Sequence, residues 1–244
     1  MSLQLIPGWA MSGQVFAPLQ QQLGNPGQIA DLPGFGSRNR ETCPTRLHAL
    51  ARALPPPGRG AVLLGWSLGG MACMQLALQH PGQIGALILV CSTPRFVASP
   101  DWPIGTELAN FVAFREDFRN NWGKTLRRFL LMQAGKSSGN NRKLAQTIRQ
   151  LGETTPQPSP ASMNNGLEIL AHADLRSDIR KLSLPVLLVG GKRDRVCHPD
   201  ASRWMAQQLP NARLLELDCG HAPHLSHTPV LAGEIEKFMQ ELAA

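Results

Sequence analysis

The first ninety residues alternate between short apolar runs and segments with helical spacing of their hydrophobic positions. The apolar runs predict strands at residues 3–6, 28–32, 61–64 and 86–91. Apolar residues three or four apart predict helices at residues 15–23, 46–54 and 71–80. Strands that alternate with helices in this way are typical of a parallel sheet, so this part of the chain is predicted to consist of βα units.

The pattern changes after residue 94. Four helix-like segments follow, at residues 106–118, 124–133, 142–151 and 163–171, and we find no strand candidate among them. From residue 184 the alternation returns, with predicted strands at 185–189 and 213–217 and predicted helices at 200–209 and 230–242. We interpret the chain as an α/β core in two parts, residues 1–94 and 184–244, with an all-helical cap inserted at residues 95–183.

The composition is that of a globular protein, with 43% hydrophobic and 17% charged residues in a chain of 244. No apolar run approaches the roughly 18 residues of a membrane span, so we expect no membrane association. The chain starts without a basic segment, since its first positive side chain is Arg38, and we therefore expect a cytoplasmic protein without a secretory signal. Five scattered cysteines without a C-x-x-C pair favour neither disulfides nor a zinc site.

The positive charge of the chain is concentrated in the predicted cap. Residues 115–149 hold nine Lys or Arg and two Asp or Glu, so their net charge equals the +7 of the whole chain. One interpretation is a solvated helical face, and the other is a docking surface for an acidic partner. Nucleic acid is not favoured as that partner, because few aromatic residues are interleaved with the basic ones.

The strongest chemical signal is Gly65-Trp66-Ser67-Leu68-Gly69, which matches the pattern G-x-S-x-G. It lies between a predicted strand and a predicted helix, where a sharp turn presents the serine as a nucleophile. Glycine on both sides lets the chain pass closely around such a turn. Ser67 is the predicted nucleophile, and the alternative is a glycine-rich turn with an incidental serine.

A serine hydroxyl needs a base to take its proton and a carboxylate to orient that base. In chains with this motif the order is serine, acid, histidine. His221 follows a predicted strand through a short loop and is the predicted base. Asp194 comes just past the strand at 185–189 and is the predicted acid. Asp218 is the less favoured alternative, because it shares a strand end with His221 and would bend back on its own loop.

His221, His224 and His227 are three residues apart, a spacing that also suits metal ligands on a helix. Pro223 lies inside this repeat and interrupts helical hydrogen bonding, and no acidic residue lies beside it. We therefore predict no metal and no cofactor. His224 and His227 are interpreted as loop residues or as residues that support the site.

Two main-chain N–H groups are predicted to form an oxyanion hole. One belongs to Leu68, which follows the nucleophile, and the other to Trp9, in the loop after the first strand. Gly8 allows close approach of that loop. A role of Trp9 as a core aromatic is compatible with this prediction, because the donor is the backbone.

Six sequence blocks together resemble the BioH family of α/β-hydrolases, the pimeloyl-[acyl-carrier protein] methyl ester esterases. The blocks are Gly8-Trp9, Asp31-Leu32-Pro33-Gly34-Phe35-Gly36, Gly65-Trp66-Ser67-Leu68-Gly69-Gly70, Gly166-Leu167-Glu168-Ile169-Leu170, Asp174-Leu175-Arg176 and His221-Ala222-Pro223. The resemblance covers nearly the whole chain. It implies the α/β-hydrolase fold, a mostly parallel sheet flanked by helices with an inserted helical cap.

The resemblance implies a serine esterase that hydrolyses the methyl ester of pimeloyl-acyl carrier protein in biotin biosynthesis. It implies a triad of Ser67, Asp194 and His221, with the N–H groups of Trp9 and Leu68 at the oxyanion hole. Substrate contacts are implied for Trp9, Ser67, Leu68 and His221 and for one cap helix. The matching cap residues are Phe129, Leu130, Leu131, Met132 and Gln133.

The implied partner is an acyl carrier protein, which is acidic. The family docks its carrier on basic cap residues, and the matching positions are Lys124, Arg128, Arg142 and Arg149. The charge of the cap agrees with this implication, because Lys124, Arg127 and Arg128 are spaced to share one helix face. We expect a monomer.

The chain departs from the family pattern in two places. Family members usually have histidine before the glycine of the oxyanion loop, whereas this chain has Pro7, which removes a polar side chain and a donor. The chain also begins directly at the predicted strand at 3–6, so we expect one edge of the sheet to lack the leading strands of the fold.

Two other functions fit the same residues. One is a short-chain carboxylesterase of broad specificity without a dedicated carrier partner. The other, from a different class, is a non-catalytic ligand-binding protein in which the cap encloses a small molecule. An intact triad argues against the second.

Overall fold

The computed structural model describes residues 1–133, 141–154 and 157–243. Its sheet, in the described residues, has six strands. They are β1 (Leu3–Ile6), β2 (Gln28–Ile29), β3 (Ala61–Trp66), β4 (Ile84–Val90), β5 (Val186–Gly191) and β6 (Ala212–Leu217). All neighbouring strands run parallel, in the spatial order β2-β1-β3-β4-β5-β6. The predicted parallel sheet is therefore confirmed.

Ten α-helices surround this sheet in the parts of the chain that are described. They are α1 (Ala17–Gln22), α2 (Leu47–Arg52), α3 (Leu68–Gln79), α4 (Leu108–Asn120), α5 (Trp122–Gln133), α6 (Asn141–Thr154), α7 (Pro160–His172), α8 (Pro199–Gln208), α9 (Pro223–Ser226) and α10 (Thr228–Ala243). The short helix α9 was not predicted. Pro223 occupies its first turn, where the missing N–H of proline breaks no helical hydrogen bond.

The second strand is shorter than predicted. The apolar pattern indicates residues 28–32, but β2 consists of Gln28–Ile29, because the chain turns away from the sheet at Asp31. One carboxylate oxygen of Asp31 accepts a hydrogen bond from the N–H of Gly13 at 2.6 Å, and the other accepts from the N–H of Ser37 at 2.8 Å. These bonds fix a loop where the sequence pattern predicts a continued strand.

The centre of the sheet is buried on both faces. All residues of β3 and of β5 are buried, as expected for parallel strands that carry helices on both sides. The strands end together at one edge, and the predicted site residues lie just beyond these ends. Ligands of open parallel sheets bind at this carboxyl edge.

The helices α4, α5, α6 and α7 lie between β4 and β5 in the chain, as the sequence predicts for a helical insertion. The chain enters and leaves this segment at neighbouring points. The guanidinium of Arg95 contacts the carboxylate of Asp174 at 2.7 Å, and the N–H of Leu175 donates to the carbonyl of Pro94 at 2.9 Å. The boundaries 95 and 183 of the cap stay a prediction.

Among the helices that the structure describes, none has the length and apolar character needed to cross a membrane.

Candidate active site

Ser67 stands at the turn between β3 and α3. Its φ of 56° lies in a region that residues with a side chain rarely adopt. A Cβ atom at Gly65 would lie 2.5 Å from the carbonyl oxygen of Gly69, and one at Gly69 would lie 2.3 Å from that of Ile6. Both positions therefore require glycine, because the chain passes too closely around the turn for a side chain.

Hydrogen bonds from the neighbouring strand hold this turn in place. The N–H of Ser67 donates to the carbonyl of Val90 at 3.0 Å, and the carbonyl of Ser67 accepts from the hydroxyl of Ser92 at 2.9 Å. The N–H of Gly70 also donates to that carbonyl, at 2.9 Å. The strained conformation of Ser67 is thus fixed by groups on both sides of the turn.

Asp194 and His221 meet beyond the ends of β5 and β6. The Nδ1 atom of His221 lies 2.7 Å from Oδ2 of Asp194, and both side chains are almost fully buried. The second carboxylate oxygen accepts from the N–H groups of Val196 at 2.8 Å and Cys197 at 3.0 Å. With both oxygens bonded, the carboxylate has a fixed orientation toward the imidazole.

Asp218, the alternative acid, has a different partner. Its carboxylate forms an ion pair with Arg193, and 57% of its side chain is exposed. The structure therefore places Asp194, and not Asp218, against the ring of His221.

The backbone of His221 is held from two directions. Its carbonyl accepts a hydrogen bond from Nε1 of Trp66 at 2.8 Å, and its N–H donates to the carbonyl of Gln133 at 2.9 Å. Nε2 of His221 is buried and has no hydrogen-bond partner among the described residues, Ser67 included. Bonds between nucleophile and base are often long in the free enzyme and tighten when substrate binds. This nitrogen is thus available to take a proton.

The loop after β1 lies directly against Ser67. A Cβ atom at Gly8 would be 3.1 Å from Cβ of Ser67, so the backbone at Gly8 and Trp9 passes close to that side chain. Leu68 is the first residue of α3, and an N–H at this position has no intrahelical acceptor. The two predicted oxyanion donors therefore lie on the two segments that flank Ser67.

The indole of Trp9 is fixed by the cap. Its Nε1 donates to the carbonyl of Met163 on α7 at 3.0 Å, and its ring packs edge-on against Phe129 at 5.2 Å between centroids. A Cβ atom at Gly166 would lie 2.4 Å from Cδ1 of Trp9. Gly166 belongs to one of the sequence blocks of the resemblance, and its lack of a side chain lets α7 pack closely on this ring.

A cavity of about 330 Å³ opens beside Ser67 and Trp9. Of the five cap residues implied as substrate contacts, Phe129 and Met132 line it. The others do not line it: Leu130 is buried in the core, Leu131 is half exposed, and Gln133 binds the backbone of His221. Consecutive residues of a helix point in different directions, so five in a row do not reach one cavity.

Leu68 and His221 are buried and also do not line the cavity, although substrate contacts are implied for both. Their predicted parts in catalysis do not need such lining. The predicted role of the Leu68 N–H is to bind the oxyanion of the substrate, and the predicted role of Nε2 of His221 is to take the hydroxyl proton of Ser67.

Most residues of the cavity wall were not among the residues predicted from the sequence. The unpredicted lining residues are Phe96, Thr106, Asn110, Phe111, Ala113, Phe114, Leu167, Leu170, Arg195 and Val196. Helical spacing of aromatic residues in α4 is a usable signal for some of them, since Phe111 and Phe114 are three apart. Arg195 directly follows Asp194, so its place near the site could have been inferred from the chain.

Pro7, which departs from the family pattern, is buried at the base of the oxyanion loop. A Cβ atom at Gly69 would lie 2.5 Å from the carbonyl oxygen of Pro7. The backbone of Pro7 is thus packed against the start of α3, beside the turn that holds Ser67.

One group of possible metal ligands occurs in the described part of the chain. Atoms of Cys91, Asp194 and His221 lie within 4.8 Å of one another, and all three residues are buried. Burial raises the pKa of the Cys91 thiol well above its usual value, and the nearby Asp194 adds to this effect. A protonated thiol is a poor ligand, and a metal would separate the carboxylate from the imidazole. We therefore assign no metal to this group.

His224 lies in α9 and is fully buried between the rings of Phe16 and Trp66. Burial, and then the neighbouring His221, lower the pKa of His224 to about 3. His224 is therefore neutral, and its ring packs beside Trp66, the residue before Ser67. His227 follows α9, and its Nδ1 contacts the hydroxyl of Ser226 at 2.9 Å.

The four basic residues implied in carrier docking lie on the surface of the cap. Lys124, Arg127 and Arg128 are exposed on α5, and Arg142 and Arg149 are exposed on α6. Arg128 lies 3.7 Å from a carboxylate oxygen of Asp117, and both side chains are largely exposed, so this ion pair is weak. Lys136 and the side chain of Lys143 are outside the described residues.

Comparison with known proteins places the chain in a family. The model of the Alpha/beta hydrolase family matches residues 5–234. Solved structures agree in fold, including an esterase from Exiguobacterium antarcticum with a TM-score of 0.80 and 20% identity, over 100% of this chain and 92% of that one. A hydrolase from Oleispira antarctica has a TM-score of 0.83 and 17% identity, over 98% of this chain and 90% of that one.

Curated relatives are more similar in sequence, and three of them share the name pimeloyl-[acyl-carrier protein] methyl ester esterase. The protein from Xylella fastidiosa (strain 9a5c) is 39% identical, over 99% of this chain and 96% of the relative. Those from Nitrosomonas europaea and Stenotrophomonas maltophilia are 38% and 37% identical, covering 92% and 99% of this chain and 90% and 93% of the relatives. The chain therefore belongs to the alpha/beta hydrolase family and, within it, to the BioH family.

Proposed function

We propose that this protein hydrolyses the methyl ester of pimeloyl-[acyl-carrier protein] and releases methanol, a step of biotin biosynthesis. The observation that carries the proposal is the contact of 2.7 Å between Oδ2 of Asp194 and Nδ1 of His221. Nε2 of His221 has no hydrogen-bond partner among the described residues. Both residues lie at the carboxyl edge of the sheet, where Ser67 also lies. The names of three relatives at 37–39% identity supply the substrate.

In the proposed mechanism Ser67 attacks the ester carbonyl and Nε2 of His221 takes its proton. Asp194 stabilises the imidazolium that forms. The main-chain N–H groups of Trp9 and Leu68 bind the oxyanion of the tetrahedral intermediate. His221 then protonates the departing methoxide. Water, activated by the same imidazole, cleaves the acyl-enzyme and leaves a free carboxylate on the pimeloyl chain.

The cavity supports an acyl substrate with a hydrocarbon chain. Aromatic and aliphatic side chains form most of its wall, among them Phe114, Phe129, Met132 and Leu167. Burial of methylene groups against such a wall supplies binding energy without charge recognition. The methyl ester would lie at Ser67, with the rest of the chain directed toward the opening.

An acyl carrier protein is the proposed macromolecular partner, docked on the cap at residues 95–183. Lys124 and Arg128 on α5 and Arg142 and Arg149 on α6 are exposed, and they offer positive charge to an acidic carrier. Such charges chiefly speed encounter and lose effect as salt is added. The reaction would take place in the cytoplasm, where the protein is predicted to act as a monomer.

Mass spectrometry of the carrier tests the proposed reaction directly. Pimeloyl-carrier methyl ester, incubated with the protein, should lose the mass of one methylene group as the ester becomes the acid. Ser67→Ala should leave the ester intact, since no other group in the site replaces the nucleophile. An unchanged mass with the folded wild-type protein would contradict the proposal.

Charge reversal on the cap tests the partner separately from the chemistry. Arg142→Glu should lower kcat/KM for the carrier-bound ester relative to a small aryl ester by about tenfold at low salt. Lys237→Glu, the same change of charge at an exposed lysine of α10, is the matched control and should not alter this ratio. Equal ratios in both variants would favour the broad-specificity esterase instead.

A further inference from the structure

The cavity beside Ser67 has positive charge on two sides. Of the described residues that line it, the ionisable ones are Arg128, on the cap helix α5, and Arg195, in the loop after β5. Both are arginines, and no acidic residue lines the cavity in the described part of the chain. A ligand that extends from Ser67 therefore meets an apolar wall together with two arginine residues, one from the cap and one from the core.

Arg195 lies in a hydrogen-bonded turn, and its side chain is exposed. It lies between Asp194 and Val196, and the N–H of Val196 donates to Oδ1 of Asp194 at 2.8 Å. Arg195 is exposed. It forms no ion pair with any other residue that the structure describes. Its charge is thus available to a ligand in the cavity.

Arg128 has an ion-pair partner, but the pair is weak enough for a ligand to replace it. Its ion pair with Asp117 is long, at 3.7 Å, and the two side chains are 73% and 56% exposed. Exposed pairs of this kind contribute little energy, so a bound anion can compete with Asp117 for the guanidinium. Arginine also matches the planar geometry of a carboxylate, with which it forms paired hydrogen bonds.

We propose that Arg195, assisted by Arg128, binds a carboxylate at the far end of a substrate chain. The protein would then also hydrolyse free methyl hemiesters of linear dicarboxylic acids, of which monomethyl pimelate is one. This inference rests on the proposed function, because it uses the same nucleophile and the same methyl ester. Water cleaves the bond between the acyl carbon and the methoxy oxygen, methanol leaves, and the new acid releases its proton to give a dicarboxylate.

Two substrates that differ in one methyl group test the inference. Monomethyl pimelate carries the distal carboxylate, and dimethyl pimelate carries a neutral ester in its place. The measured quantity is the ratio of kcat/KM for the monoester to kcat/KM for the diester, at low salt. Arg195→Gln should lower this ratio about tenfold, because a charge-assisted pair at the distal end is lost.

Lys192→Gln is the matched control, since Lys192 is exposed in the same loop but does not line the cavity. It should leave the ratio at the wild-type value, and high salt should reduce the effect of Arg195→Gln. An unchanged ratio in Arg195→Gln, or an equal fall in Lys192→Gln, would overturn the inference while hydrolysis of the diester still supports the esterase. Folded protein that cleaves neither ester would overturn both.

Discussion

The indole Nε1 of Trp66 donates a hydrogen bond of 2.8 Å to the main-chain carbonyl of His221. Trp66 directly precedes Ser67, the predicted nucleophile, so this bond joins the strand before the serine to the loop that carries the predicted base. The two rings also lie 5.5 Å apart between centroids. Trp66, the variable residue before the serine of the G-x-S-x-G motif, thus links the turn at Ser67 to the loop that carries His221.

Trp66→Phe should therefore lower kcat more than it raises KM. The substitution keeps an aromatic ring but leaves the buried carbonyl of His221 without a donor, at a cost of about 1–3 kcal/mol in the free energy of unfolding. Urea unfolding and steady-state kinetics with a small ester measure both effects. Trp122→Phe, at a position 43% exposed, is the control and should change stability by less than about 0.5 kcal/mol. Equal changes of kcat and of stability in the two variants would contradict a role of the Trp66 hydrogen bond in positioning His221.

Asp194→Asn should lower kcat by about 10³- to 10⁴-fold with little change in fold. An amide at this position no longer stabilises the imidazolium and favours the wrong tautomer of His221. Circular dichroism and kinetics with a small ester provide the measurement. Asp218→Asn is a matched control, because Asp218 pairs with Arg193 at the surface and not with His221. A larger loss of activity in Asp218→Asn would assign the acid to the other residue.

Much of the architecture could be predicted from local pattern. The strands β3, β4 and β5 are continuous apolar runs because they are buried on both faces, and such runs are visible in a single sequence. The end of β2 could not be predicted, since it depends on the bonds of Asp31 to Gly13 and Ser37. Hydrogen bonds from a carboxylate that end a strand leave no trace in the hydrophobic pattern of the sequence.

The shared location of Ser67, Asp194 and His221 could be predicted because each follows a strand, and parallel strands end at one edge of the sheet. The cavity wall could not. Phe114 lines the cavity from α4, and Leu167 lines it from α7. The spacing of hydrophobic residues within either helix does not determine how the two helices pack over the sheet. The contact of Gly166 with Trp9 is likewise a tertiary contact between distant parts of the chain.

Gly166→Ala should destabilise the protein and lower its activity. A methyl group at this position would lie 2.4 Å from Cδ1 of Trp9, so either α7 or the indole must move. A shift of the indole would also displace the main-chain N–H of Trp9, the predicted oxyanion donor. We expect a loss of about 1–3 kcal/mol in the free energy of unfolding and a fall in kcat.

Gly233→Ala is the matched control for that substitution. Gly233 lies within α10, and a Cβ atom there would have no neighbour within 4 Å. Alanine should raise the free energy of unfolding by about 0.5–1 kcal/mol, as expected for a helix interior, and leave kcat unchanged. If Gly166→Ala were equally stabilising, the close packing of α7 on Trp9 would be disproved.

The burial of His224 predicts a pH dependence of stability. Its pKa is lowered from the ordinary histidine value of 6.5 to about 3, chiefly by burial and then by His221. Between these values the unfolded chain binds a proton that the folded protein does not, so the free energy of unfolding falls as the pH falls. The expected slope is at most ~1.4 kcal/mol per pH unit, and this group contributes none above its unfolded pKa.

Urea unfolding of the wild type and of His224→Leu between pH 8 and pH 5 measures this contribution, in steps of about half a unit. Leucine keeps an apolar side chain between Phe16 and Trp66 but cannot bind a proton. The variant should lose stability at pH 8 if packing suffers, yet its stability should fall less steeply than that of the wild type below pH 6.5. Parallel curves over the whole range would mean that His224 takes up its proton equally in the folded and unfolded states, against the burial seen here.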